Sequence, residues 1–154
     1  MRINLFYFAP ANSVHSFRWI QYFMSNNYDI TWVSFHEVQE KFLIDYPGLK
    51  IITLKKQHQQ IVKGNILQKI IGFYKAISLI NNVLKENKCS IAQVHSLGLY
   101  GITMSFLNKI PFVGTAWGSD IIFVNNPIKK ILLKKNCMTC IKKVNLLQEI
   151  IKIA

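Results

Sequence analysis

Short apolar runs alternate along this chain with longer segments in which apolar residues recur every three or four positions. Such runs are typical of strands buried on both faces of a parallel sheet, and the longer segments are typical of amphipathic helices. The expected strands cover residues 3–8, 30–35, 49–54, 91–94 and 112–115. The expected helices follow Ser13 as far as Asn26, and cover 66–84 and 99–107.

The longest helix, over 66–84, is predicted to carry its apolar residues on one face. These residues are Ile66, Leu67, Ile70, Ile71, Tyr74, Ile77, Ile80, Val83 and Leu84. Further along the chain, a helix is expected after Asn126 and Pro127, a sixth strand over 138–141 and a helix over 146–153. The alternation predicts an α/β fold, with one Rossmann-like, doubly wound and mostly parallel sheet that occupies residues 1–154 as one domain.

The composition fits a globular domain, since 51% of the 154 residues are hydrophobic. The net charge of +12 predicts an anionic partner. The lysine pairs at 129–130, 134–135 and 142–143 are expected to form a solvated helix face or, alternatively, to lie on an anionic lipid surface. Nucleic acid is not the expected partner because the chain has no recognised nucleic-acid motif.

The three cysteines and the absence of an apolar signal segment predict a reducing, cytoplasmic compartment. No apolar run is long enough to span a membrane. Cys137 and Cys140 have the spacing of half a zinc site, but no second pair accompanies them, so we interpret the spacing as coincidence. No cluster of carboxylates suggests a metal.

The stretch Ile110–Ile122 predicts a functional loop, because a buried strand ends there on small and polar residues. His15, His95 and Asp120 each follow a predicted strand, and the carboxyl ends of parallel strands can converge on one cleft. The alternative roles are packing or capping for the histidines and a helix or turn cap for Asp120. His36 and His58 stand in polar sequence and are expected to be solvated.

Three motifs, taken in order, resemble those of the N-terminal domain of family 4 glycosyltransferases of GT-B fold. They are H-x-x-R-W at 15–19, V-H-S-L-G-x-Y-G at 94–101 and P-F-V-G-T-A-W-G-S-D-I at 111–121. The resemblance implies half of a GT-B architecture, in which this domain binds the acceptor and a C-terminal domain holds a nucleotide sugar. It also implies catalytic roles for His95 and Asp120. The substrate-binding residues that it implies are His15, Ser96, Trp117, Gly118 and Ser119.

The chain departs from the family pattern in three places. Trp117 stands where many members have His, and Asn12 and Ser13 replace a pair of glycines. The segment 136–139 lacks the family's Asp. The resemblance covers the acceptor-side domain alone, so the chain is expected to be a fragment, a frame truncated after Ala154, or half of a split enzyme.

The expected function is glycosyl transfer from a nucleotide sugar to a glycan or lipid-linked acceptor in cell-surface polysaccharide or lipid-linked glycan assembly. The nucleotide sugar is a co-substrate, and no cofactor is expected. A separate or missing donor domain is the expected protein partner, and the expected location is the cytoplasm, with the inner face of the membrane as an alternative. The rival function is a non-catalytic Rossmann-like binding or interaction domain, with attachment to the membrane surface left open.

Overall fold

A five-stranded, all-parallel sheet flanked by helices forms the fold. The computed structural model describes residues 3–39, 46, 49–107 and 110–116. Within them the strands are β1 (Asn4–Phe8), β2 (Asp29–Ser34), β3 (Lys50–Thr53), β4 (Ile91–His95) and β5 (Phe112–Thr115). The helices are α1 (Val14–Ser25), α2 (Lys55–Lys63), α3 (Ile66–Glu86) and α4 (Leu99–Ser105).

The strand order is β3-β2-β1-β4-β5, with β1 at the centre. Phe6 of β1 is level with Thr31 of β2 on one side and with Ala92 of β4 on the other. Every neighbouring pair of strands is parallel. This order is that of a Rossmann-like α/β sheet, so the predicted fold class is confirmed.

The central strand β1 is apolar throughout because it is buried on both faces. Leu5 and Tyr7 belong to the core beneath α1, whereas Phe6 and Phe8 belong to the core beneath α3 and α4. Successive side chains of a strand point to opposite faces, so a sheet with helices on both sides needs a continuous apolar run here. The predicted run at 3–8 has this character for this reason.

Helix α1 begins one residue after Ser13, as predicted, and buries the face that carries Phe17, Ile20 and Phe23. Ser13 occupies the N-cap position with an extended backbone, but its side chain makes no capping hydrogen bond. Ser13 therefore marks the start of the helix without capping it through its side chain. Packing of the apolar face against Tyr7 and Trp32 holds the helix in place instead.

Helix α2 was not expected from the sequence, because it contains only two aliphatic residues, Ile61 and Val62, among lysines, glutamines and a histidine. It forms because it packs directly on α3. A Cβ atom added at Gly72 of α3 would lie 2.8 Å from Cβ of Gln60 and 3.2 Å from the carbonyl oxygen of Gln57. The missing side chain at Gly72 thus allows the two helices to approach closely.

The residues of α3 predicted to share one apolar face divide into two groups. Ile80, Val83 and Leu84 are buried in the core, whereas the five residues nearest the start of the helix are exposed. The helix has 21 residues and is about 31 Å long, but strands of four to six residues span only about 13–20 Å. The start of α3 therefore extends beyond the sheet, and the predicted apolar face is buried only toward the end of the helix.

None of the helices in the described part of the chain is long and apolar enough to cross a membrane. The predicted helix after Pro127, the sixth strand over 138–141 and the helix over 146–153 lie outside the described residues, as do Cys137 and Cys140.

Candidate active site

The carboxyl edge of the sheet, where the strands end, is where ligand-binding loops gather in this fold. Chain connections leave β1 toward β2 on one side, and β4 toward β5 on the other. The order therefore reverses between β1 and β4, and the crevice outside such a reversal is the general ligand site of open α/β sheets. The last residue of β4 is His95, so the topology places it beside this crevice.

His95 is hydrogen-bonded to the central strand through its side chain. Its Nδ1 lies 3.1 Å from the hydroxyl oxygen of Tyr7, and the Tyr7 hydroxyl donates to the carbonyl oxygen of Ser16 at 3.0 Å. A phenol has one proton to donate, so the contact with His95 is made by Nδ1–H donating to the Tyr7 oxygen. The ring lone pair then resides on Nε2.

Burial keeps His95 neutral. The residue is 0% exposed, and desolvation lowers its pKa to about 4. Aromatic rings pack against the imidazole on two sides, with the Tyr7 ring centroid at 5.1 Å and the Trp19 ring centroid at 5.3 Å. A charged imidazolium is disfavoured in such surroundings. We refer to Tyr7, Trp19 and His95 as the His95 cluster.

An open cavity of about 400 Å³ adjoins the His95 cluster on the outer side of α1 and is lined by Arg18, Trp19 and Tyr22. The indole of Trp19 both lines this cavity and contacts the ring of His95. Tyr22 packs edge-on against Trp19, with ring centroids 6.4 Å apart. An aromatic wall beside a guanidinium is suited to a ring-shaped polar ligand that carries negative charge.

The turn that follows β4 is strained at Ser96, whose φ is 71°. Few residues other than glycine adopt this left-handed conformation, and such residues are concentrated at functional sites. Ser96 N–H donates to the carbonyl oxygen of Thr115 in β5, and the Ser96 carbonyl accepts from Gly101 N–H in α4, both at 3.1 Å. These bonds hold the turn against both neighbouring elements, and the Ser96 hydroxyl accepts from Gly98 N–H at 3.4 Å at the carboxyl edge.

A second polar cluster lies at the end of β2. The Tyr100 hydroxyl lies 3.3 Å from Ser34 Oγ, accepts from Phe35 N–H at 3.2 Å and lies 2.9 Å from Nδ1 of His36. The rings of His36 and His58 are 4.6 Å apart. We refer to Ser34, His36, His58 and Tyr100 as the Tyr100 cluster.

The proton positions in the Tyr100 cluster follow from the number of hydrogen bonds that each hydroxyl oxygen accepts. Ser34 Oγ accepts from the N–H groups of Ala11 and His36, at 2.8 and 2.9 Å, so both of its lone pairs are used. Ser34 therefore donates to the Tyr100 oxygen, which also accepts from Phe35. Tyr100 in turn donates to Nδ1 of His36, so the proton of that imidazole resides on Nε2.

The prediction that His36 and His58 are merely solvated was wrong. Both are only partly exposed, and desolvation lowers the pKa of each, with repulsion from His58 lowering that of His36 further. His58 lies on α2, a helix that was not expected because its sequence is mostly polar. Its ring also packs against Phe35, with centroids 5.8 Å apart, which explains its burial.

The structure brings together two of the predicted site residues, His95 and Ser96, at the end of β4. His15 lies on the first turn of α1 and is exposed. Trp117, Gly118, Ser119 and Asp120 lie outside the described residues, so their predicted roles stay predictions. Within the described ranges, no group of three or more His, Cys, Asp or Glu side chains could hold a metal ion.

Three residues of this edge received no role from the sequence, although each belongs to a motif described above. Arg18 and Trp19 end the H-x-x-R-W motif, and Tyr100 is the tyrosine of V-H-S-L-G-x-Y-G. Their position in the motifs could have marked them, but their partners could not be read from the sequence. Trp19 meets His95 across two elements, and Tyr100 meets Ser34 at a separation of 66 positions.

The chain matches the sequence model of a known protein family. The sequence model of the family described as glycosyl transferase 4-like matches residues 4–149, nearly the whole chain. Comparisons with curated proteins and with solved structures give no match.

Proposed function

The chain belongs to the glycosyl transferase 4-like family, and from this premise we propose that it is the acceptor-side domain of a glycosyltransferase. In this proposal a nucleotide sugar is the donor, and a second, donor-binding domain holds it across the crevice. The acceptor is a glycan or a lipid-linked glycan, and the reaction belongs to cell-surface polysaccharide or lipid-linked glycan assembly. The enzyme works in the cytoplasm, at the inner face of the membrane.

The observation that carries this proposal is the position of the His95 cluster. Its residues come from the end of β4, from the central strand β1 and from α1, so the cluster lies next to the point where the strand order reverses between β1 and β4. In open α/β sheets the crevice at such a reversal lies on the carboxyl side of the strands, where a second domain can face it. The strained turn at Ser96 adds a hydroxyl at the same edge.

The adjoining cavity supports a role in acceptor binding. The apolar faces of sugar rings pack against aromatic side chains, which Trp19 and Tyr22 supply, and Arg18 offers several donors to hydroxyl, carboxylate or phosphate oxygens. In the proposal the acceptor sugar lies against Trp19, and the hydroxyl to be glycosylated reaches toward Ser96 and His95.

The reaction requires a group that accepts a proton. The acceptor oxygen bonds to the anomeric carbon of the donor sugar, the bond from that carbon to the diphosphate oxygen breaks, and the nucleoside diphosphate leaves with the electron pair. The proton of the acceptor hydroxyl passes to a base. We assign this base to His95 or Asp120. A group with a pKa of about 4, such as His95, is unprotonated over the whole neutral range, as an ordinary carboxylate is.

The experiment measures release of nucleoside diphosphate by this chain together with its donor-binding domain. His95→Ala, Asp120→Ala and Trp19→Ala are each expected to lower kcat/KM by about tenfold or more, the scale of one lost polar or stacking contact in the transition state. Ser78→Ala is the matched control, since this exposed residue lies on α3. Activity equal to wild type in all three variants would contradict the proposal.

A second candidate function, a non-catalytic binding domain, is favoured by the complete burial of His95. In this second function the imidazole, covered by Trp19 and bonded to Tyr7, holds β4 against β1 and α1. The two functions differ in one measurement. If His95 is purely structural, His95→Ala lowers the free energy of unfolding and leaves kcat/KM per folded molecule unchanged; if it is catalytic, kcat/KM falls in the folded fraction.

A further inference from the structure

The start of α3 carries an apolar face that the rest of the described chain leaves exposed. Ile66 is 80% exposed and Tyr74 is 68% exposed. The residues of this face are Ile66, Leu67, Ile70, Ile71 and Tyr74. We call it the α3 face.

The α3 face is a continuous surface because its residues repeat with helical spacing. Positions 66, 70 and 74 are four residues apart, and 67 and 71 flank them on the same side. The buried side of the same helix is different, since Gly72 and Ala76 face α2 and the core. Apolar residues scattered singly over a surface are common, but a contiguous apolar stripe of five marks an interaction site.

The charge around the α3 face has one sign. The sequence from Leu49 to Lys85 contains seven lysines and no aspartate or glutamate. These lysines are at positions 50, 55, 56, 63, 69, 75 and 85. Lys55 is paired with Glu37 at 2.6 Å, and Lys50 and Lys85 lie at the start of β3 and the end of α3, so the cations that accompany the α3 face are those at 56, 63, 69 and 75. Lys69 stands on α3 within the span of the apolar residues, Lys75 directly follows Tyr74, and both are exposed. The partner of this surface must therefore be apolar at its centre and negative around it.

A groove of about 330 Å³ at the junction of α2 and α3 adds a place for anionic groups. It is lined by Lys56, Lys63 and Gly64, with amide side chains from Gln59, Gln60 and Gln68. Ile66 and Leu67 lie between two of these lining positions, so the cationic groove and the α3 face are adjacent. Lysine and glutamine side chains supply several N–H donors to phosphate oxygens.

We propose that the α3 face docks this domain on the surface of an anionic lipid bilayer. The five apolar side chains enter the boundary between headgroups and acyl chains, while the lysines of α2 and α3 contact lipid phosphates. This combination of a short apolar face and a basic surround is the pattern of interfacial helices that lie in the membrane plane. Each lysine adds electrostatic attraction that salt screens.

The docked orientation follows from the topology. Helix α3 runs back from the carboxyl edge to the start of β4, so its exposed first half is at the same edge of the sheet as His95 and Ser96. Docking through the α3 face therefore holds the carboxyl edge close to the bilayer. The docking does not depend on glycosyl transfer, and an inactive chain docks equally well.

The test is sedimentation of the full chain with vesicles of phosphatidylglycerol and phosphatidylcholine, or of phosphatidylcholine alone. Binding is expected only with the anionic vesicles and is expected to weaken at high salt. The variant Leu67→Gln/Ile70→Gln is expected to lower the partition coefficient by about tenfold or more, because two apolar side chains no longer enter the bilayer. Lys56→Gln/Lys63→Gln is expected to lower it less, and to reduce its salt dependence.

The matched control is Val14→Gln/Leu79→Gln, which removes two apolar side chains that are also partly exposed but lie outside the α3 face. It is expected to bind as the wild type does. Equal binding by the wild type and the Leu67→Gln/Ile70→Gln variant would overturn the proposal, as would binding to neutral vesicles alone. Self-association of the wild type in solution that this variant abolishes would also overturn it, because the occupant would then be a second copy of the chain.

A fluorescent reporter variant shows directly whether the α3 face enters the bilayer. In Tyr74→Trp the new indole is expected to move its emission to shorter wavelength on binding anionic vesicles and to be quenched by brominated acyl chains. Unchanged emission in the presence of bound vesicles would show that the α3 face stays in water and would reject the proposal.

Discussion

Two tyrosine–histidine pairs lie at the carboxyl edge, and the direction of the hydrogen bond differs between them. The histidine donates to the tyrosine in one pair, and the tyrosine donates to the histidine in the other. In the His95 cluster, Nδ1–H of His95 donates to Tyr7, whose own proton is committed to Ser16. In the Tyr100 cluster, Tyr100 donates to Nδ1 of His36, because Ser34 and Phe35 already donate to the Tyr100 oxygen. The neighbours of each tyrosine therefore decide which nitrogen of its histidine keeps the proton.

This difference gives the two imidazoles different chemistry. His95 retains a lone pair on Nε2 and can accept a proton, whereas His36 retains Nε2–H and can donate a hydrogen bond. They differ in burial as well, since His95 is fully enclosed and His36 is partly exposed. A single sheet edge thus presents one acceptor imidazole and one donor imidazole, on either side of the central strand.

The largest expected effect comes from removing the hydroxyl of each tyrosine. Tyr100→Phe is expected to lower the free energy of unfolding by about 3 kcal/mol, because the buried Phe35 N–H loses its acceptor and two further contacts are lost. Tyr7→Phe is expected to cost about half as much. Urea unfolding at pH 7.5 measures both. If the two variants lost equal free energy of unfolding, the number of hydrogen bonds that each tyrosine hydroxyl makes would not explain the stability of its cluster.

The next effect is a dependence of stability on pH that arises from His95. The folded pKa of about 4 is below the ordinary value of 6.5, so between these values the unfolded chain binds more protons than the folded chain. The contribution of His95 to the free energy of unfolding is therefore fully present above pH 6.5 and is lost as the pH drops toward 4. We expect His95 to contribute about 2 kcal/mol of this loss between pH 6.5 and pH 4.5.

Unfolding of His95→Asn at pH 7.5 and pH 4.5 checks this contribution. The variant keeps an N–H donor for Tyr7 but does not titrate, so its stability is expected to vary less with pH than that of the wild type. Gln21→Asn, an exposed substitution on α1 that changes no titrating group, serves as the control and is expected to follow the wild type. A pH dependence in His95→Asn as steep as in the wild type would contradict the assignment.

The smallest expected effect concerns His58. Burial and repulsion from His58 lower the pKa of His36. His58→Gln removes the repulsion, so the pKa of His36 is expected to rise toward its ordinary value and the protein to gain less than about 1 kcal/mol of stability near pH 5.5. Titration of the His36 ring resonances by NMR measures the change. An unchanged His36 pKa would show that desolvation alone lowers it.

Hydrophobic spacing predicted most of the fold correctly because strands buried on both faces must be apolar throughout. The runs that contain Phe6, Val33 and Val94 carry that signal, and all five predicted strands in the described ranges are present. Helix α2 was not predicted, because it is stabilised by a contact at Gly72 of α3 that the local sequence pattern does not indicate. Periodicity likewise could not show that α3 is longer than the sheet beneath it.

The candidate site was predictable only in part. Topology placed His95 and Ser96 at the carboxyl edge, because both follow a buried strand. The covering of His95 by Trp19 could not be read from the sequence, since it depends on how α1 packs over β4. The clustering of His36 with His58 joins the end of β2 to α2, and the proton on His36 depends on contacts from Ala11, Ser34 and Tyr100.

The central position of β1 has a consequence for the order in which the domain folds. Trp32 and Ala9 are joined by a hydrogen bond across 23 positions, whereas the Tyr7–His95 contact spans 88 positions. Closing the longer loop costs about 1 kcal/mol more chain entropy. We therefore expect β1, α1 and β2 to pair early and β4 to join afterwards, so that formation of the His95 cluster coincides with the completion of the sheet. Fluorescence of Trp19, which contacts His95, is expected to follow that last step.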